Sequence, residues 1–374
     1  MLYRDWYDKG IRTSLLGYGA MRLKTVDGEI DEKLGFELFD KAYKSGVNYF
    51  DTAFPYTDGK NEAFVGKALK RYPRDSFYLA TKLSLFCFKT KEEVFASLDN
   101  QLKILQTDYV DFYLMHALDK HKFNQIKEWK VMDKMLEYKK QGKIKHIGFS
   151  FHDDYDTFKE ILDYFPWEFC QIQLNYMDQS IQQGLKGYYD LVERKIPVVI
   201  MEPVKGGKLA NFNKQVSHYF TDYAPDKSLA SWALRWVGSL EGVKVILSGM
   251  NSMDQVDDNL KTFNNFEPLN KEEQELVEKV RVDLSKIIKV GCTSCKYCMP
   301  CPQGVNIPGL FNIYNSYAMY QDKGDVNWRH GMLKQNNESG LNCVQCGLCA
   351  TKCPQGIDIP EKIAEFYKEF DFLK

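Results

Sequence analysis

Short apolar runs rich in β-branched and aromatic residues alternate with longer segments of helical periodicity over roughly the first 270 residues. The intervening segments, such as 33–45, 91–105 and 129–141, are each long enough for one crossover helix. Eight strand–helix units in a chain of this length predict a (β/α)₈ TIM barrel. The eight apolar runs begin at Leu15, Asn48, Phe77, Val110, Ile144, Phe169, Pro197 and Val243.

A doubly wound sheet is the competing α/β fold for such an alternation. That fold would carry a glycine-rich turn after its first strand. The corresponding sequence, Gly17-Tyr-Gly-Ala-Met, lacks the third glycine of the fingerprint, so the barrel is favoured. With 374 residues, 44% of them hydrophobic, the chain can bury a large core and a small second domain.

The charge pattern and the N-terminal segment limit the partners and the compartment. The formal net charge is −1, and the sequence has no basic run and no long apolar stretch. We therefore expect neither nucleic acid nor a membrane as a partner. The first residues, MLYRDWYDKG, contain no apolar segment that would direct export. A cytoplasmic location with reduced thiols is the expectation.

The C-terminal region contains eight of the ten cysteines, in two runs that each end in Cys-Pro. Three thiolates at successive three-residue steps can wrap one face of an iron–sulfur cubane, while a fourth cysteine before proline can reach a second cluster. A zinc site normally uses two CxxC pairs well apart in sequence, and disulfides would need an oxidising compartment. The spacing therefore predicts two [4Fe-4S] clusters. The runs are Cys292, Cys295, Cys298 and Cys301, then Cys343, Cys346, Cys349 and Cys353.

An internal repeat accompanies these cysteines. Cys-Pro-Gln-Gly-Val-Asn-Ile-Pro from Cys301 recurs as Cys-Pro-Gln-Gly-Ile-Asp-Ile-Pro from Cys353, and a helical pattern follows each copy. The region resembles the all-helical two-cluster ferredoxin domain, so we expect a small, mainly helical ferredoxin-like domain in residues 284–374. The resemblance implies a crossover, although the sequence alone also permits each run to hold its own cluster. In the crossover, one cluster is bound by Cys292, Cys295, Cys298 and Cys353, and the other by Cys343, Cys346, Cys349 and Cys301.

Polar residues recur at the C-terminal ends of the predicted strands, where a barrel builds its active site. Asp51 ends strand two, with Tyr56 in the loop beyond it, while Lys82 and His116 end strands three and four. Each residue alone has an ordinary structural explanation. Together, in this order, they resemble the catalytic tetrad of the aldo-keto reductases, and the resemblance extends over the barrel, which we assign to residues 1–283. The surrounding phrases agree, namely Asn48-Tyr-Phe-Asp-Thr-Ala, Ala80-Thr-Lys and Leu114-Met-His.

This resemblance implies reduction of an aldehyde or ketone, a small-molecule carbonyl substrate, with hydride from NADPH or NADH. A free tyrosine titrates near 10, and a neighbouring cation favours the phenolate. Lys82 is therefore expected to lower the pKa of Tyr56 and make it a proton donor, with Asp51 fixing Lys82. His116, as a neutral donor, would orient the substrate oxygen and stabilise the charge that develops on it.

The resemblance also implies the cofactor contacts. Gln171 stands where the family holds the nicotinamide amide, and Ser150 matches its serine contact. The chain departs from the family pattern at Phe151, which replaces an asparagine, and at Met201, which replaces a stacking tyrosine.

The segment after strand eight resembles the phosphate-binding turn of the family and its following helix. Ser252 and Gln255 have capping-box spacing, which would leave backbone N–H groups for a phosphate. Because Asn251 and Ser252 are uncharged, the choice between NADPH and NADH stays open. The candidate phosphate contacts are Lys205, Gly206, Ser248, Gly249, Ser252, Gln255 and Asn259.

The two halves of the chain pose a redox problem, because hydride transfer moves two electrons and a cubane passes one. A flavin could reconcile them, but no flavin-binding signature is visible. Three hypotheses follow: a carbonyl reductase whose clusters relay electrons or sense redox state, an electron-transfer protein whose barrel docks a redox partner, or clusters with a structural role only. The complete tetrad favours the first. Cys87 and Cys170 have apolar neighbours and are interpreted as packing residues.

Overall fold

The computed structural model describes residues 1–292 and 294–373, and its largest element is a closed barrel of eight parallel strands. Each strand pairs with its sequence neighbours, and the last pairs with the first. The predicted (β/α)₈ barrel is therefore confirmed. The strands are β1 (Leu16–Gly19), β2 (Tyr49–Asp51), β3 (Tyr78–Leu83), β4 (Val110–Leu118), β5 (Ile144–Phe151), β6 (Phe169–Gln173), β7 (Val198–Met201) and β8 (Val243–Ser248).

Helices follow the strands around the barrel, and two short antiparallel hairpins precede α1. The hairpins pair Tyr3–Asp5 with Arg12–Ser14 and Thr25–Val26 with Glu29–Ile30. The helices are α1 (Glu32–Lys44), α2 (Asn61–Leu69), α3 (Lys91–Leu105), α4 (Lys120–Trp129), α5 (Val131–Lys140), α6 (Tyr155–Tyr164), α7 (Gly184–Glu193), α8 (Lys214–Tyr223), α9 (Leu229–Gly238), α10 (Met253–Asn264) and α11 (Lys271–Ser285). Single 3-10 turns occupy Ala20–Arg22, Tyr56–Gly59, Arg74–Ser76, Leu85–Cys87 and Lys205–Gly207.

Aromatic side chains fill the barrel interior near the N-terminal ends of the strands. Trp6, from the first hairpin, is fully buried, and its ring centroid lies 4.6 Å from that of Phe112 and 5.9 Å from that of Phe169. The Trp6 indole N–H donates to Thr13 Oγ1 over 2.8 Å, so this buried polar group is satisfied. Gly148 of β5 is the register partner of Phe169, and a Cβ there would lie 2.5 Å from the Phe169 ring. The packed interior leaves the C-terminal strand ends for polar residues.

Four helices follow the first cysteine run. They are α12 (Ile307–Tyr320), α13 (Lys323–Gln335), α14 (Leu348–Thr351) and α15 (Ile359–Glu369), with 3-10 turns at Gly340–Asn342 and Asp371–Leu373. Asn306 and Asp358 cap α12 and α15 by accepting hydrogen bonds from Gly309 N and Glu361 N, and a proline occupies the first turn of each helix. The predicted mainly helical domain is confirmed. Each copy of the Cys-Pro repeat is followed by a helix that begins in the same way.

The chain divides into two compact units. The first contains residues 1–206 and 230–274, and the second contains residues 207–229 and the chain from 275 onwards. The division into domains 1–283 and 284–374 stays a prediction, and the compact units depart from it chiefly at residues 207–229. These residues pack with the second unit because Asn213 N donates to Met319 O and Asn213 Nδ2 to Ala318 O, while Lys208 pairs with Asp325 at 2.8 Å.

The core of the second unit is aromatic. Tyr314 and Phe366 meet edge-on with ring centroids 5.4 Å apart, and Tyr317 and Phe370 do so at 4.8 Å. Edge-to-face pairs of this kind add to the stabilisation from apolar burial. Among the described helices, none combines the length and apolar character needed to cross a membrane.

Candidate functional site

Four polar side chains meet at the C-terminal ends of β2, β3 and β4. Lys82 is fully buried, and its ammonium donates to Asp51 Oδ1 over 2.5 Å and to the Thr52 carbonyl over 2.8 Å. The same ammonium lies 5.0 Å from the centroid of the Tyr56 ring, and the Tyr56 and His116 rings meet edge-on at 5.9 Å. Burial by itself would lower the pKa of Lys82, but Asp51 and Tyr56 outweigh it, so the pKa is raised and Lys82 keeps its charge.

The pKa of Tyr56 differs from the expectation drawn from sequence. Burial raises it, and Lys82 only opposes that rise, so the net shift is upward rather than downward. Lys82 does lower the pKa of Tyr56, as expected, but the expectation neglected the cost of removing the phenolate from water, which is larger. Tyr56 therefore holds its proton throughout the neutral range. Its acidity during a reaction would depend on Lys82 stabilising the phenolate as it forms.

His116 is neutral, as expected from sequence. Burial lowers its pKa to about 2, and the nearby Lys82 cation adds to the effect. The Nδ1 atom of His116 lies 2.5 Å from Ser84 Oγ. Sequence reasoning missed Ser84, since a serine just after a strand carries no signal of a contact with a histidine 32 residues away.

Gln171 fits the expected nicotinamide contact. Its side chain is buried on β6, its Oε1 atom has no hydrogen-bond partner among the described residues, and its Nε2 atom contacts only Met201 Sδ at 3.6 Å. A buried amide without hydrogen-bond partners costs free energy, and a carboxamide ligand would supply both a donor and an acceptor to it. Ser150 Oγ accepts from Ala117 N over 2.7 Å, which leaves its hydroxyl hydrogen able to donate to a ligand. Met201, which stands where the family has a stacking tyrosine, lies beside Gln171.

The expected phosphate turn precedes α10. Ser252 is the N-cap of α10 and accepts from Gln255 N over 3.4 Å, while Gln255 Oε1 accepts from Asn251 N over 2.9 Å. Gln255 thus reaches the residue before the cap rather than the cap itself, so the predicted reciprocal box is only half formed. Asn259 donates to Ser248 Oγ over 2.7 Å and fixes the end of β8.

The cations near this turn are arranged differently from the sequence-based expectation. Lys205 pairs with the buried Asp178 at 2.5 Å, so its charge is already partnered. Sequence reasoning missed Arg22. Its side chain lies 3.2 Å from the position that a Cβ atom on Gly249 would occupy, and 3.3 Å from the equivalent position on Gly206. Arg22 is half exposed, with a loose ion pair to Glu202 at 3.4 Å. Arg22 is therefore the better-placed cation for an anionic group at these glycines.

The eight clustered cysteines border two separate cavities in the second unit. One cavity is lined by Cys292, Cys295, Cys298 and Cys353. The other is lined by Cys301, Cys343, Cys346 and Cys349. Each set therefore takes three thiols from one run and one from the other, which is the grouping that the crossover requires.

Backbone N–H groups at equivalent positions, Ser294 and Gln345, each approach the first cysteine sulfur of their run at 3.4 Å. Hydrogen bonds to sulfur are one means by which a protein stabilises and tunes an iron–sulfur cluster.

The two remaining cysteines differ from each other. Cys170 is fully buried in the barrel wall, as expected of a packing residue. Cys87 is exposed in the turn Leu85–Cys87, so its interpretation as a packing residue is wrong. The apolar neighbours that suggested burial, Phe86 and Phe88, do not cover the thiol, and Phe86 is itself exposed.

Comparison with known proteins agrees with both parts of the chain. The model of the aldo/keto reductase family matches residues 15–282, and that of the 4Fe-4S dicluster domain matches residues 291–357. L-galactose dehydrogenase of Arabidopsis thaliana is 26% identical over 292 residues, which cover 72% of this chain and 90% of the relative. NADH-specific methylglyoxal reductase of Escherichia coli is 26% identical over 301 residues, which cover 68% and 89%.

A solved structure, the holo form of an aldo-keto reductase from Bacillus halodurans, superposes with a TM-score of 0.63 at 26% identity. The match covers 75% of this chain and 96% of that one. The barrel, the strand-end residues and the family matches lead to one assignment: this chain belongs to the aldo-keto reductase family of oxidoreductases and carries a C-terminal 4Fe-4S dicluster domain.

Proposed function

We propose that the protein reduces an aldehyde or ketone to an alcohol with hydride from NADH or NADPH, and that Tyr56 gives the proton. The observation that carries this proposal is the buried contact of Lys82 with Asp51 beside the Tyr56 ring, with neutral His116 edge-on to the same ring. A fully buried lysine is costly, and this one is held at the end of β2 by Asp51 and the Thr52 carbonyl, an arrangement suited to proton transfer at the neighbouring phenol.

A bound nicotinamide supplies the hydride. The tyrosine phenol donates its proton to the carbonyl oxygen as negative charge develops there, and Lys82 stabilises the phenolate that results. Asp51 and the Thr52 carbonyl keep the ammonium in place without a change in its protonation. His116 donates a hydrogen bond to the same substrate oxygen because it is neutral and retains one N–H.

The cofactor would be held at both ends by this chain. The orphaned Gln171 amide and the Ser150 hydroxyl suit the carboxamide, while the N-terminal turn of α10 and Arg22 suit the phosphates. One relative is named as an NADH-specific methylglyoxal reductase and another as an L-galactose dehydrogenase. These names favour a small oxygenated carbonyl compound as the substrate.

The two cysteine sets would each hold one [4Fe-4S] cluster, which passes single electrons. We propose that these clusters relay electrons to or from a redox partner protein. Val344 and Leu348, beside the thiols of the second cavity, are 62% and 51% exposed, and Cys346 is exposed as well. Exposed apolar side chains around a redox centre favour contact with another protein over a purely structural role.

The Tyr56→Phe variant of the full-length, anaerobically prepared protein tests the reductase assignment. We expect carbonyl reduction, measured with NADH and NADPH against aldehydes and ketones including methylglyoxal, to fall by about 10²–10⁴-fold. Iron content and nucleotide affinity should stay unchanged. Tyr138→Phe is the matched control, since it removes a phenolic hydroxyl that donates to Phe95 O between α5 and α3. Full activity of Tyr56→Phe would contradict the proposal.

Two further results would favour the other hypotheses. Wild-type protein that turns over no carbonyl compound, but whose clusters are reduced by a partner protein, would indicate an electron-transfer protein. Clusters that resist reduction, but whose removal unfolds the second unit, would indicate a structural role.

A further inference from the structure

Ser84 follows β3 directly and lies two residues beyond Lys82. It is fully buried, and although it precedes the turn Leu85–Cys87, its side chain makes no capping hydrogen bond to that turn. Its hydroxyl instead contacts Nδ1 of His116 at 2.5 Å. We propose that Ser84 is a positioning residue that fixes the tautomer of His116, so that the proton lies on Nε2. The inference rests on the proposed carbonyl reduction for its functional meaning.

The direction of this hydrogen bond follows from the needs of the serine. A neutral imidazole has one N–H and one bare nitrogen, so either Ser84 donates to Nδ1 or Nδ1–H donates to Ser84. Among the described residues, Nδ1 of His116 is the only hydrogen-bond partner of Ser84 Oγ. If Nδ1 were the donor, the serine hydrogen would be buried without an acceptor, which is costly. Ser84 therefore donates, and Nδ1 is the bare nitrogen.

This assignment decides what His116 can do. With Nδ1 as the acceptor, the single N–H of the ring is on Nε2, the nitrogen that Ser84 does not contact. A substrate oxygen that develops negative charge requires a donor, whereas the other tautomer would offer it a lone pair. Because the Lys82 cation and burial keep His116 from gaining a second proton, the tautomer alone determines whether the ring donates or accepts.

Nitrogen-15 NMR of the histidine side chains reads the tautomer directly in the full-length holoprotein. The two ring nitrogens of a neutral histidine have well separated shifts, and a His116→Gln sample identifies the resonances of this residue among the six histidines. We expect Nδ1 to be bare and Nε2 protonated in the wild-type protein. A protonated Nδ1, alone or together with Nε2, would overturn the inference, and this outcome is independent of any carbonyl turnover.

Ser84→Ala should convert the single tautomer into a mixture. We expect kcat/KM for carbonyl reduction to fall by about 10–100-fold, less than the loss of an oxyanion donor itself, with nucleotide affinity unchanged. Ser84→Thr retains the hydroxyl and should restore the Nε2–H tautomer. Ser97→Ala is the control, because it removes another buried hydroxyl, one that donates to Val94 O at 2.7 Å. An unchanged tautomer in Ser84→Ala would refute the role of Ser84.

The two proposals fail in distinguishable ways. If Tyr56→Phe keeps full activity while His116 shows the Nε2–H tautomer and loses it in Ser84→Ala, the reductase assignment fails and the serine–histidine contact stands. If the wild-type tautomer is Nδ1–H while Tyr56→Phe is inactive, the assignment of Ser84 fails and the reductase stands.

Discussion

The grouping of the cysteines predicts opposite results for two double variants that each remove two thiols. Cys292→Ala/Cys353→Ala removes two thiols from one cavity, although the residues belong to different runs. Cys292→Ala/Cys301→Ala removes two thiols of one run, although they border different cavities. The two variants therefore separate pairing by cavity from pairing by sequence, with the same number of substitutions in each.

The expected size of the effect follows from the four thiols of each cavity. The wild-type protein should bind about eight irons per chain, four in each cubane. The Cys292/Cys353 variant leaves the other four-thiol set complete and should retain about four irons in one intact cluster. The Cys292/Cys301 variant leaves three thiols in each cavity, so it should have no cluster with four cysteine ligands.

Iron and sulfide analysis after anaerobic reconstitution, with EPR of the dithionite-reduced samples, measures both outcomes. One reduced cubane signal with about four irons is expected from the Cys292/Cys353 variant and no intact cubane signal from the Cys292/Cys301 variant. Far-UV circular dichroism checks that both variants keep their helices. The reverse result, an intact cluster only in the Cys292/Cys301 variant, would mean that each run holds its own cluster and would refute the crossover.

Three further predictions concern the barrel. The pKa of His116 falls from 6.5 to about 2 on folding, so only the unfolded chain gains a proton as the pH drops below 6.5. Between pH 8 and pH 5.5, the free energy of unfolding should therefore fall by about 1.4 kcal/mol more in the wild-type protein than in His116→Gln. Equal losses in the two proteins would contradict this. Glu273→Ala breaks the buried two-point contact with Arg235, at 2.7 Å for each bond, and should lower the free energy of unfolding by about 3–5 kcal/mol in urea titrations, with Glu273→Gln less affected. Gly148→Ala forces a methyl group into the Phe169 ring and should lower that free energy by about 1–3 kcal/mol, whereas an unchanged urea midpoint would show that the ring moves freely.

The proposed reaction in the barrel and the proposed clusters differ in the number of electrons that they transfer. The proposed hydride transfer would move two electrons at once, whereas a [4Fe-4S] cluster would pass one at a time. A potentiometric titration followed by EPR, with and without NADH, would measure whether the nucleotide reduces the clusters. Reduction by NADH alone would indicate electron flow between the two parts, and its absence would favour a separate redox partner.

The sequence by itself determined the features that depend on local spacing and residue type. The alternation of apolar runs and helical segments predicted the barrel, because a strand that is buried on both faces and an amphipathic helix have different periodicities. The position of Asp51, Lys82 and His116 at strand ends followed from that alternation. The Cys-Pro repeat predicted both the cluster chemistry and the helix starts at α12 and α15, since a proline and its capping residue act within one turn.

The tertiary structure decided the features that depend on which residues, distant in sequence, lie close together in space. It separated the eight thiols into two mixed sets, brought Ser84 to His116, and placed Arg22 beside Gly249 of the expected phosphate turn and Gly206 of the loop after β7. It also reversed the expected shift of the Tyr56 pKa, because desolvation depends on all the atoms that surround a phenol, whereas spacing in the sequence reports only its nearest charge. Residue types and local periodicity are written along the chain, but contacts between residues 30 or more positions apart depend on how the strands and helices pack.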